Sequence, residues 1–460
     1  MRSGVSMGIK RKIKKYGFDK RGREFFALAR NPFTVLVVGL LYLAHKCFKK
    51  IYKRKERAAS NKKLTYVLGF SPWKAYVKDW FPERELVFLK TNITFVELVS
   101  ELGFLRVLKK DYEIFQWGFK VGDDVEKGLG FLGVKRWIIE DGFVRSIGLG
   151  ATKTPPFSLS IDSKTAYFDA SKESDLEQII SSYDFSSDVA LMERARAFKE
   201  KLVSSGLSKY NFAGEYDIES IYGAKNKKRV LVVGQVEDDA SIQYGCNKVM
   251  TNNDLVTMAA LENPDAQIIY KPHPDVLHGH RKAISSPENV KSFALVLEDL
   301  SVPLAESFKT IDHVYTITSQ AGFEALLRGI KVTTVGCPFY SGWGLTDDRQ
   351  KNARRNRKLS VDEIFAAAYI LYPKYFDPID KKPISPEEAL DKLLDLKQLY
   401  SNADVDEIVI EDNVVSNEAG ISDFESVKEY LAFKKVILEL EEELVDKLES
   451  GNINIGEVGD

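Results

Sequence analysis

Short apolar runs alternate with amphipathic stretches from residue 64 onward, and this alternation predicts an α/β fold. The apolar runs predict strands at 64–69, 86–89, 115–119, 136–141, 229–233, 266–274, 313–319 and 331–336. The stretches between and after them predict helices at 71–81, 185–205, 252–261, 320–328, 359–371 and 385–400. Because strands alternate with helices, we expect parallel sheets with right-handed crossovers.

The same pattern predicts the domain organisation. Residues 64–222 and 223–350 are each expected to form a Rossmann-like domain, and the two are expected to face a cleft. Helices over 351–400 follow. Ligands of such sheets bind outside the carboxyl ends of the strands, so the residues that follow each strand are the candidates for chemistry.

Both ends of the chain depart from this pattern. Residues 1–63 carry an excess of roughly 16 positive charges around the apolar run 31–44, which is too short to span a bilayer easily. We expect a membrane-associating interfacial helix beside anionic lipid; a soluble basic arm and a tilted span are the alternatives. Residues 401–460 are acidic, and a peripheral helix at 422–449 or partial disorder is expected.

Composition excludes several classes of protein. With 66 basic and 67 acidic residues, the chain as a whole carries no nucleic-acid signal. Cys47, Cys246 and Cys337 lie far apart, which argues against a zinc site or a disulfide framework and fits a reducing cytosol. No signal-peptide cleavage pattern follows the apolar run, so a cytoplasmic location is expected.

The first motif with candidate chemistry is EDGFVRS, at 140–146. Glu140 and Asp141 end an apolar strand, and Gly142 allows a tight turn or a close ligand approach. Adjacent strand residues point to opposite faces, so one carboxylate is expected to face a substrate, and we choose Asp141. An exposed strand-end turn is the alternative.

The loop GQVEDDAS, at 234–241, follows the strand 229–233 and carries Gln235, Glu237, Asp238 and Asp239. Such a position suits a sugar or phosphate contact. Three acids would repel a phosphate unless they face a sugar or an acceptor, and a solvated acidic loop is the alternative.

Two further motifs follow strands of the second domain. In YKPHPDV, two prolines hold the backbone around His273, and Lys271 lies beside it; a phosphate contact is the interpretation. In TSQAGFEALLRG, Ser319 is expected to cap a helix whose free N–H groups favour an anion. Gln320 and Glu324 lie in the first turns of that helix.

The segment PFYSGWGLTDD, at 338–348, combines aromatic residues, glycines and acids. It predicts a binding loop in which Tyr340 and Trp343 stack on a sugar or a base. A buried hydrophobic turn is the alternative.

Together these strings resemble the capsule-polysaccharide β-Kdo transferases, the KpsC-like family. The matching strings include GFSPWK, EDGFVRSIGLG, GQVEDDASIQYG, YKPHPDV and TSQAGFEALLRGIKVTTVGCPFYSGWGLTDDR, and they cover about residues 68–378 in order. One set of motifs is present, so a single catalytic module is expected rather than the two that alternate linkages in some members.

The resemblance implies a modified two-Rossmann (GT-B) glycosyltransferase. The first domain would carry the acceptor and catalytic residues, and the second would bind CMP-Kdo. Transfer with retention to a phosphatidylglycerol-type or Kdo-terminated glycolipid at the inner membrane is implied. Other capsule synthesis or export proteins are candidate partners.

The resemblance also implies site roles. Asp141 is the expected nucleophile; Glu140, or an acid of 237–239, is expected to assist. Arg145 and Lys271 are candidates for the Kdo carboxylate, His273 and Ser319 for the phosphate, and Glu324 for the ribose. No metal and no cofactor besides the donor are expected. A CMP-sialic-acid sialyltransferase and an inactive capsule-complex scaffold are the alternatives.

Overall fold

The computed structural model describes residues 62–103, 107, 110–146, 154–207, 216–277, 279, 281, 283–298 and 302–402. The predicted apolar run at 31–44, the predicted helix at 422–449 and Cys47 lie outside these residues. Within them the chain has the predicted α/β architecture. Among the described helices, none has the length and apolar character that a membrane crossing needs.

The described chain forms two compact units. The first holds residues 62–115 and 120–135, and the second holds residues 116–119 and those from 136 onward. The compact units therefore divide the chain at other places than the predicted domain boundaries.

The first unit is a small sheet with helices. Strand β1 (Lys63–Leu68) runs parallel to β2 (Arg84–Phe88), and β3 (Glu113–Trp117) begins on the other side of β1. Its helices are α1 (Val77–Trp80), α2 (Phe95–Leu102) and α3 (Asp123–Leu132). A 3-10 turn, Pro72–Tyr76, precedes α1, and Ser71 makes no side-chain cap there.

The second unit begins with strands that correct one prediction. β4 (Arg136–Asp141) pairs antiparallel with β5 (Ser158–Asp162), which no sequence pattern predicted. A parallel neighbour needs a crossover connection that returns the chain to the end of the sheet where the first strand began. Here β5 starts where β4 ends, since Asp141 faces Leu159. The expectation of parallel sheets alone was therefore wrong.

The second sheet is parallel throughout. Its strands are β6 (Arg229–Val233), β7 (Gln267–Lys271), β8 (Leu295–Val296), β9 (His313–Thr316), β10 (Lys331–Thr334) and β11 (Asp347–Asp348). They lie in the order β8-β7-β6-β9-β10-β11. This is the doubly wound order, in which the chain reverses direction across the sheet between β6 and β9.

Helices accompany these strands in the second unit. Before β6 they are α4 (Asp175–Ser182), α5 (Val189–Ser204) and α6 (Ile218–Tyr222). Between the strands of the second sheet, along the chain, they are α7 (Ala240–Gly245), α8 (Asn252–Glu262), α9 (Pro274–Leu277), α10 (Leu304–Ser307) and α11 (Gln320–Leu327).

The C-terminal segment returns to the first strands of the second unit. Helix α12 (Val361–Phe365) continues as a π-helical turn, Ala366–Leu371, and leads into β12 (Lys374–Asp377). β12 pairs antiparallel with β5, and β13 (Lys382–Pro383) pairs with β12. Helix α13 (Pro386–Asn402) closes the described chain.

One apolar core joins these parts of the second unit. Buried side chains from the β4 loop, α5, α11 and the C-terminal helices pack together in it, among them Phe143, Phe198, Phe323, Phe365, Tyr369 and Leu393. Burial of these side chains holds the candidate site in place, because each Å² of apolar area removed from water contributes about 25 cal/mol to stability.

Candidate functional site

Asp141 is held at the end of β4 by a buried arginine. Arg145 Nε donates to Asp141 Oδ2 at 2.8 Å, and Arg145 Nη1 donates to Ser146 Oγ at 2.6 Å. The Arg145 side chain is fully buried, whereas the Asp141 side chain keeps 18% of its surface exposed. The arginine therefore orients the carboxylate of a side chain that is partly exposed.

Gly142 has a different task from the one the sequence suggested. Its N–H donates to the Ser158 carbonyl at 2.9 Å, and a Cβ at this position would lie 2.2 Å from Ser158 Oγ. The close approach is thus made by strand β5 rather than by a turn with open space. Glycine is required because no side chain fits between the two strands.

Glu140 lies on the other face of β4, as the alternation of strand side chains requires. A Cβ on Gly118 would be 2.0 Å from Glu140 Oε1, so the Glu140 carboxyl group lies directly beside Gly118. The two candidate carboxylates therefore have different surroundings: Asp141 contacts Arg145, and Glu140 contacts the segment after β3.

Gln235 ties together the loops after β6 and β9, at the point where the second sheet reverses its strand order. Its Oε1 accepts from the Thr318 backbone N–H at 2.7 Å, and its Nε2 donates to Thr318 Oγ1 at 3.1 Å. Its own backbone N–H donates to Asn252 Oδ1. With only 6% of its surface exposed, Gln235 positions two loops and presents little surface to a ligand.

The acids that follow Gln235 serve the local structure. Glu237 accepts hydrogen bonds from the backbone N–H groups of Asn252, Ile284 and Ser285 at 2.7–2.9 Å, and also from Ser285 Oγ. The carboxylate thus fixes the loop before α8 to the segment around Ser285. A role for Glu237 in activating an acceptor has no support in this geometry.

The two aspartates beside Glu237 are also engaged. Asp238 is exposed and pairs with Arg281 Nη2 at 2.6 Å. Asp239 caps α7 by accepting from the Ser241 N–H at 2.8 Å. Asp238 thus fits the alternative of a solvated acidic loop, whereas Asp239 serves as a helix cap.

Lys271 and His273 end β7 but point to different surroundings. Lys271 is buried, and its Nζ donates to the Val302 carbonyl at 2.6 Å. The ammonium group of Lys271 thus binds the neighbouring segment of the chain, and its contact with a donor carboxylate or phosphate stays a prediction.

His273 stays partly exposed, with 24% of its side-chain surface accessible. The Asp275 N–H donates to His273 Nδ1 at 3.1 Å, so the neutral ring carries its proton on Nε2. This tautomer makes Nε2 a hydrogen-bond donor, which is the form that a phosphate oxygen requires.

Ser319 caps helix α11 as predicted, with its Oγ accepting from the Ala321 N–H at 3.2 Å. Gln320 Nε2 donates to the Phe143 carbonyl and to Tyr369 Oη, both at 3.2 Å. The start of α11 is therefore joined to the loop that carries Asp141.

Glu324 lies one turn further along α11 and is 4% exposed. It lines a small buried cavity with Phe143, Tyr369 and Arg328, and Arg328 Nη1 donates to the Glu324 carbonyl. The cavity is also lined by leucines from α5, α11 and α13. Glu324 thus faces the inside of the second unit, close to the Asp141 loop.

Tyr340 and Trp343 correct the prediction of a stacking loop, because both rings are fully buried. Tyr340 Oη donates to the Ser319 carbonyl at 2.5 Å, and Trp343 Nε1 donates to the Phe339 carbonyl at 2.9 Å. Burial raises the pKa of Tyr340 well above its usual value. Tyr340 therefore contacts the residue that caps α11, and Trp343 closes the turn itself. The alternative of a buried hydrophobic turn is the correct one.

Charged side chains from outside the turn hold its backbone in place. Arg355 donates to the Pro338 and Ser341 carbonyls, and its guanidinium also binds Glu177 Oε2 at 3.0 Å. Asp348 Oδ2 accepts from the Gly342 N–H at 2.9 Å. The acids and arginines of 338–355 therefore maintain the fold of the loop.

The structure thus brings together Asp141, Arg145, Ser319, Gln320 and Glu324 through Phe143, which lies two residues after Asp141. Sequence reasoning missed Phe143, Thr318 and Tyr369 as connecting residues, because none of them belongs to a residue type that signals chemistry. No cluster of His, Cys, Asp or Glu suitable for a metal ion occurs among the described residues.

Comparison with known proteins identifies the family. The family model "Capsule polysaccharide biosynthesis protein" matches residues 131–375, more than half of the chain. The chain belongs to this family. The matched region contains every candidate site residue described above.

Two curated proteins resemble this chain over most of its length. The lipopolysaccharide-processing protein LpsZ of Rhizobium meliloti is 43% identical over 321 residues, which are 70% of this chain and 72% of LpsZ. The capsule polysaccharide modification protein LipA of Neisseria meningitidis serogroup B is 36% identical over 338 residues, 73% of this chain. The matched region spans less than half of LipA, 46% of its length.

Two solved structures from Thermosulfurimonas dismutans match the fold. The KpsC β-Kdo 2,7 transferase is 33% identical, with a TM-score of 0.56, and the match covers 73% of this chain and 100% of that chain. The KpsC β-Kdo 2,4 transferase is 28% identical, with a TM-score of 0.59, covering 74% and 99%. These similarities support a glycosyltransferase that acts in capsule polysaccharide biosynthesis or modification.

Proposed function

We propose that this protein is a retaining β-Kdo transferase that moves Kdo from CMP-Kdo to a lipid-linked acceptor. One observation carries the proposal: the partly exposed Asp141 carboxylate is oriented by the buried Arg145 at a strand end, next to the capped start of α11. The similarity to both KpsC transferases supplies the choice of sugar.

Asp141 is the proposed nucleophile. Its carboxylate attacks the anomeric carbon of Kdo while the bond from that carbon to the phosphate oxygen breaks, and CMP leaves with the electron pair. An acceptor hydroxyl then attacks the same carbon, releases Asp141 and gives up its proton to water. Two inversions at one carbon give retention.

Arg145 has two proposed effects. Its Nε bond holds Asp141 in one orientation, and its positive charge attracts the negative carboxylate. Because the Arg145 side chain is fully buried, its charge is proposed to act on the donor through Asp141.

The donor nucleotide is proposed to bind at the start of α11. His273 Nε2 and the N–H groups that follow Ser319 are donors for the single phosphate, and Glu324 is the candidate for the ribose. The protein donors are proposed to stabilise the departing phosphate without a metal. A paired-Rossmann architecture with a cleft between two domains belongs to the same proposal.

The acceptor is proposed to be a phosphatidylglycerol-type or Kdo-terminated glycolipid. The linkage position stays outside the proposal, since sequence identity is higher to the 2,7 transferase and the TM-score is higher to the 2,4 transferase. We place the protein at the cytoplasmic face of the inner membrane, attached through the basic residues of 1–63.

A transfer assay tests the reaction directly. The full chain is incubated with CMP-Kdo and a Kdo-terminated glycolipid, and the product is read by mass spectrometry. We expect a mass increase of one Kdo residue. CMP-sialic acid serves as the matched donor control: transfer of sialic acid instead would favour the sialyltransferase, and no transfer from either donor would favour the scaffold.

Thermal unfolding tests the nucleotide separately. A ligand at 100 times its dissociation constant contributes about 2.7 kcal/mol to the native state, which raises the melting temperature visibly. We expect CMP to give this rise without added metal, and His273→Ala and Glu324→Ala to reduce it. A larger, magnesium-dependent rise with UDP would contradict the donor assignment.

Membrane attachment is tested by removing the leader. Each basic residue near anionic lipid contributes on the order of 1 kcal/mol. We expect the chain lacking residues 1–61 to stay folded and to lose sedimentation with phosphatidylglycerol vesicles. Unchanged sedimentation would place the attachment on another surface.

A further inference from the structure

Three aromatic side chains of the second unit form a partly exposed cluster. The rings of Phe119 and Tyr244 lie 4.2 Å apart, and the rings of Phe119 and Phe168 lie 5.5 Å apart, edge to face. Tyr244 keeps 43% of its surface exposed, and both phenylalanines are half-buried. We call these three residues the aromatic shelf.

Sequence neighbours of the aromatic shelf contact the segments that carry the candidate carboxylates. Phe119 directly follows Gly118, whose backbone is in contact with the Glu140 carboxyl group. Phe168 follows Tyr167, whose ring packs edge to face on Phe143 at 4.9 Å. The shelf is therefore linked through Gly118 to Glu140, and through Tyr167 and Phe143 to the segment that follows Asp141.

The shelf also borders the start of α11. Tyr244 lies in α7, and its carbonyl accepts from the Ala170 N–H at 3.0 Å. A Cβ on the next residue, Gly245, would lie 2.9 Å from Thr318 Cγ2. Thr318 is the residue that Gln235 binds, immediately before the helix cap. The shelf thus flanks the proposed reaction site without including any group assigned to the chemistry.

Its composition matches a sugar ring. A pyranose presents C–H groups on its face, which pack on aromatic rings, and hydroxyl groups at its edge, which donate to carboxylates. The shelf offers three rings, and the residue before Phe119 contacts the Glu140 carboxyl group. An acyl chain would instead need a longer, uniformly apolar surface.

We propose that the aromatic shelf is the subsite for the terminal sugar of the acceptor, which stacks on Tyr244 and Phe119 with its hydroxyl edge toward Glu140. This inference rests on the proposed glycosyl transfer and adds the residues that select its acceptor. It replaces Tyr340 and Trp343, which the sequence suggested for stacking and which are buried.

The test compares Tyr244→Leu and Phe119→Leu with Tyr244→Phe, which keeps the ring. Phe293→Leu is the matched control, since Phe293 is equally exposed, at 45%, and lies away from the shelf in the sequence. Initial rates are measured with CMP-Kdo against a Kdo-terminated glycolipid and against a soluble Kdo oligosaccharide. Binding of the oligosaccharide alone is followed by saturation-transfer NMR.

We expect both leucine variants to raise the acceptor KM about tenfold for both acceptors and to weaken the NMR contact. Tyr244→Phe and Phe293→Leu should change neither. The CMP-induced rise in melting temperature should stay constant, which shows that the variants remain folded.

Three results would overturn the inference. A loss of CMP stabilisation in the leucine variants would assign the shelf to the nucleobase. An effect confined to the glycolipid would assign it to the lipid. An unchanged acceptor KM and NMR contact would remove any acceptor role. Oligosaccharide binding needs no donor. The inference about the shelf can therefore be contradicted while CMP-Kdo transfer is observed, and oligosaccharide binding at the shelf can be observed without CMP-Kdo transfer.

Discussion

The loops after β4 and β6 both place acidic side chains at the carboxyl end of a strand in the second unit, but the acids have different partners. Glu237 is surrounded by backbone N–H donors, which fix a neighbouring segment. Asp141 is held by one buried arginine and stays partly exposed. The number of acids in a loop therefore says little about catalysis; the identity of their donors says more.

The largest expected effect is a loss of transfer activity when the acid after β4 is changed. Asp141→Asn removes the charge of the proposed nucleophile and keeps its shape, so transfer should fall by about 10³-fold or more. The melting temperature should change little, because the asparagine oxygen still accepts from Arg145. Initial rates and thermal unfolding measure both. Near-normal turnover would show that Asp141 is not the nucleophile.

The second prediction asks whether Glu237 is structural. Glu237→Ala leaves three backbone N–H groups without their charged acceptor, so the free energy of unfolding should fall by about 3 kcal/mol. Below the melting transition, kcat should stay within a few-fold of wild type. Urea unfolding and initial rates measure these effects. A large loss of kcat at unchanged stability would return Glu237 to the chemistry.

The third prediction compares buried titrating groups in the two sheets. Burial lowers the pKa of His313 in β9 to about 4, and burial raises the pKa of Asp162 in β5 to about 6. The histidine contributes stability above pH 6.5 that is lost as pH falls toward 4. The aspartate contributes stability below pH 4 that is lost as pH rises through 6.

The two effects oppose each other between pH 4 and 6. Relative to wild type, His313→Gln should make the free energy of unfolding fall as pH rises, and Asp162→Asn should make it rise, each by about 1 to 2 kcal/mol after allowance for solvent screening. Urea unfolding at several pH values measures both slopes. Parallel slopes in the two variants would contradict this assignment.

The smallest effect concerns the exposed pair of Asp238 and Arg281. Exposed ion pairs contribute at most about 1 kcal/mol and are screened by salt. Asp238→Asn should lower the free energy of unfolding by about 0.5 kcal/mol or less, and by nothing measurable in 1 M salt. Transfer rates should be unchanged; a tenfold loss would mean that the acidic loop meets a substrate through Asp238.

The sequence predicted elements well where local pattern decides them. Strand β6 occurs at the predicted residues, and α11 occurs with its predicted Ser319 cap, because an apolar run and a capping residue act locally. Strands β5 and β12 were missed: β12 has only four residues, and it pairs with β5, more than 200 residues away in the sequence. No periodicity in a single segment records such pairing.

The candidate site was predictable to a similar extent. Asp141, Arg145 and Ser319 were predicted from their positions at or after strand ends, and their roles stay predictions. Tyr340 and Trp343 were misplaced because aromatic and glycine residues suit a binding loop and a buried turn equally. Arg355 and Glu177, which decide between the two, are 178 residues apart. The aromatic shelf was missed because its three residues share no local motif.

The pairing of β12 with β5 has a consequence for synthesis on the ribosome. Tyr375 pairs with Ser158, the residue packed against Gly142 beside Asp141. At about 5–20 residues per second, translation needs on the order of 10–40 s to proceed from one to the other. During that interval the whole parallel sheet emerges and can fold. The strand that backs the nucleophile loop gains its second neighbour last, so a nascent chain stopped before residue 374 lacks the support on which the catalytic geometry depends.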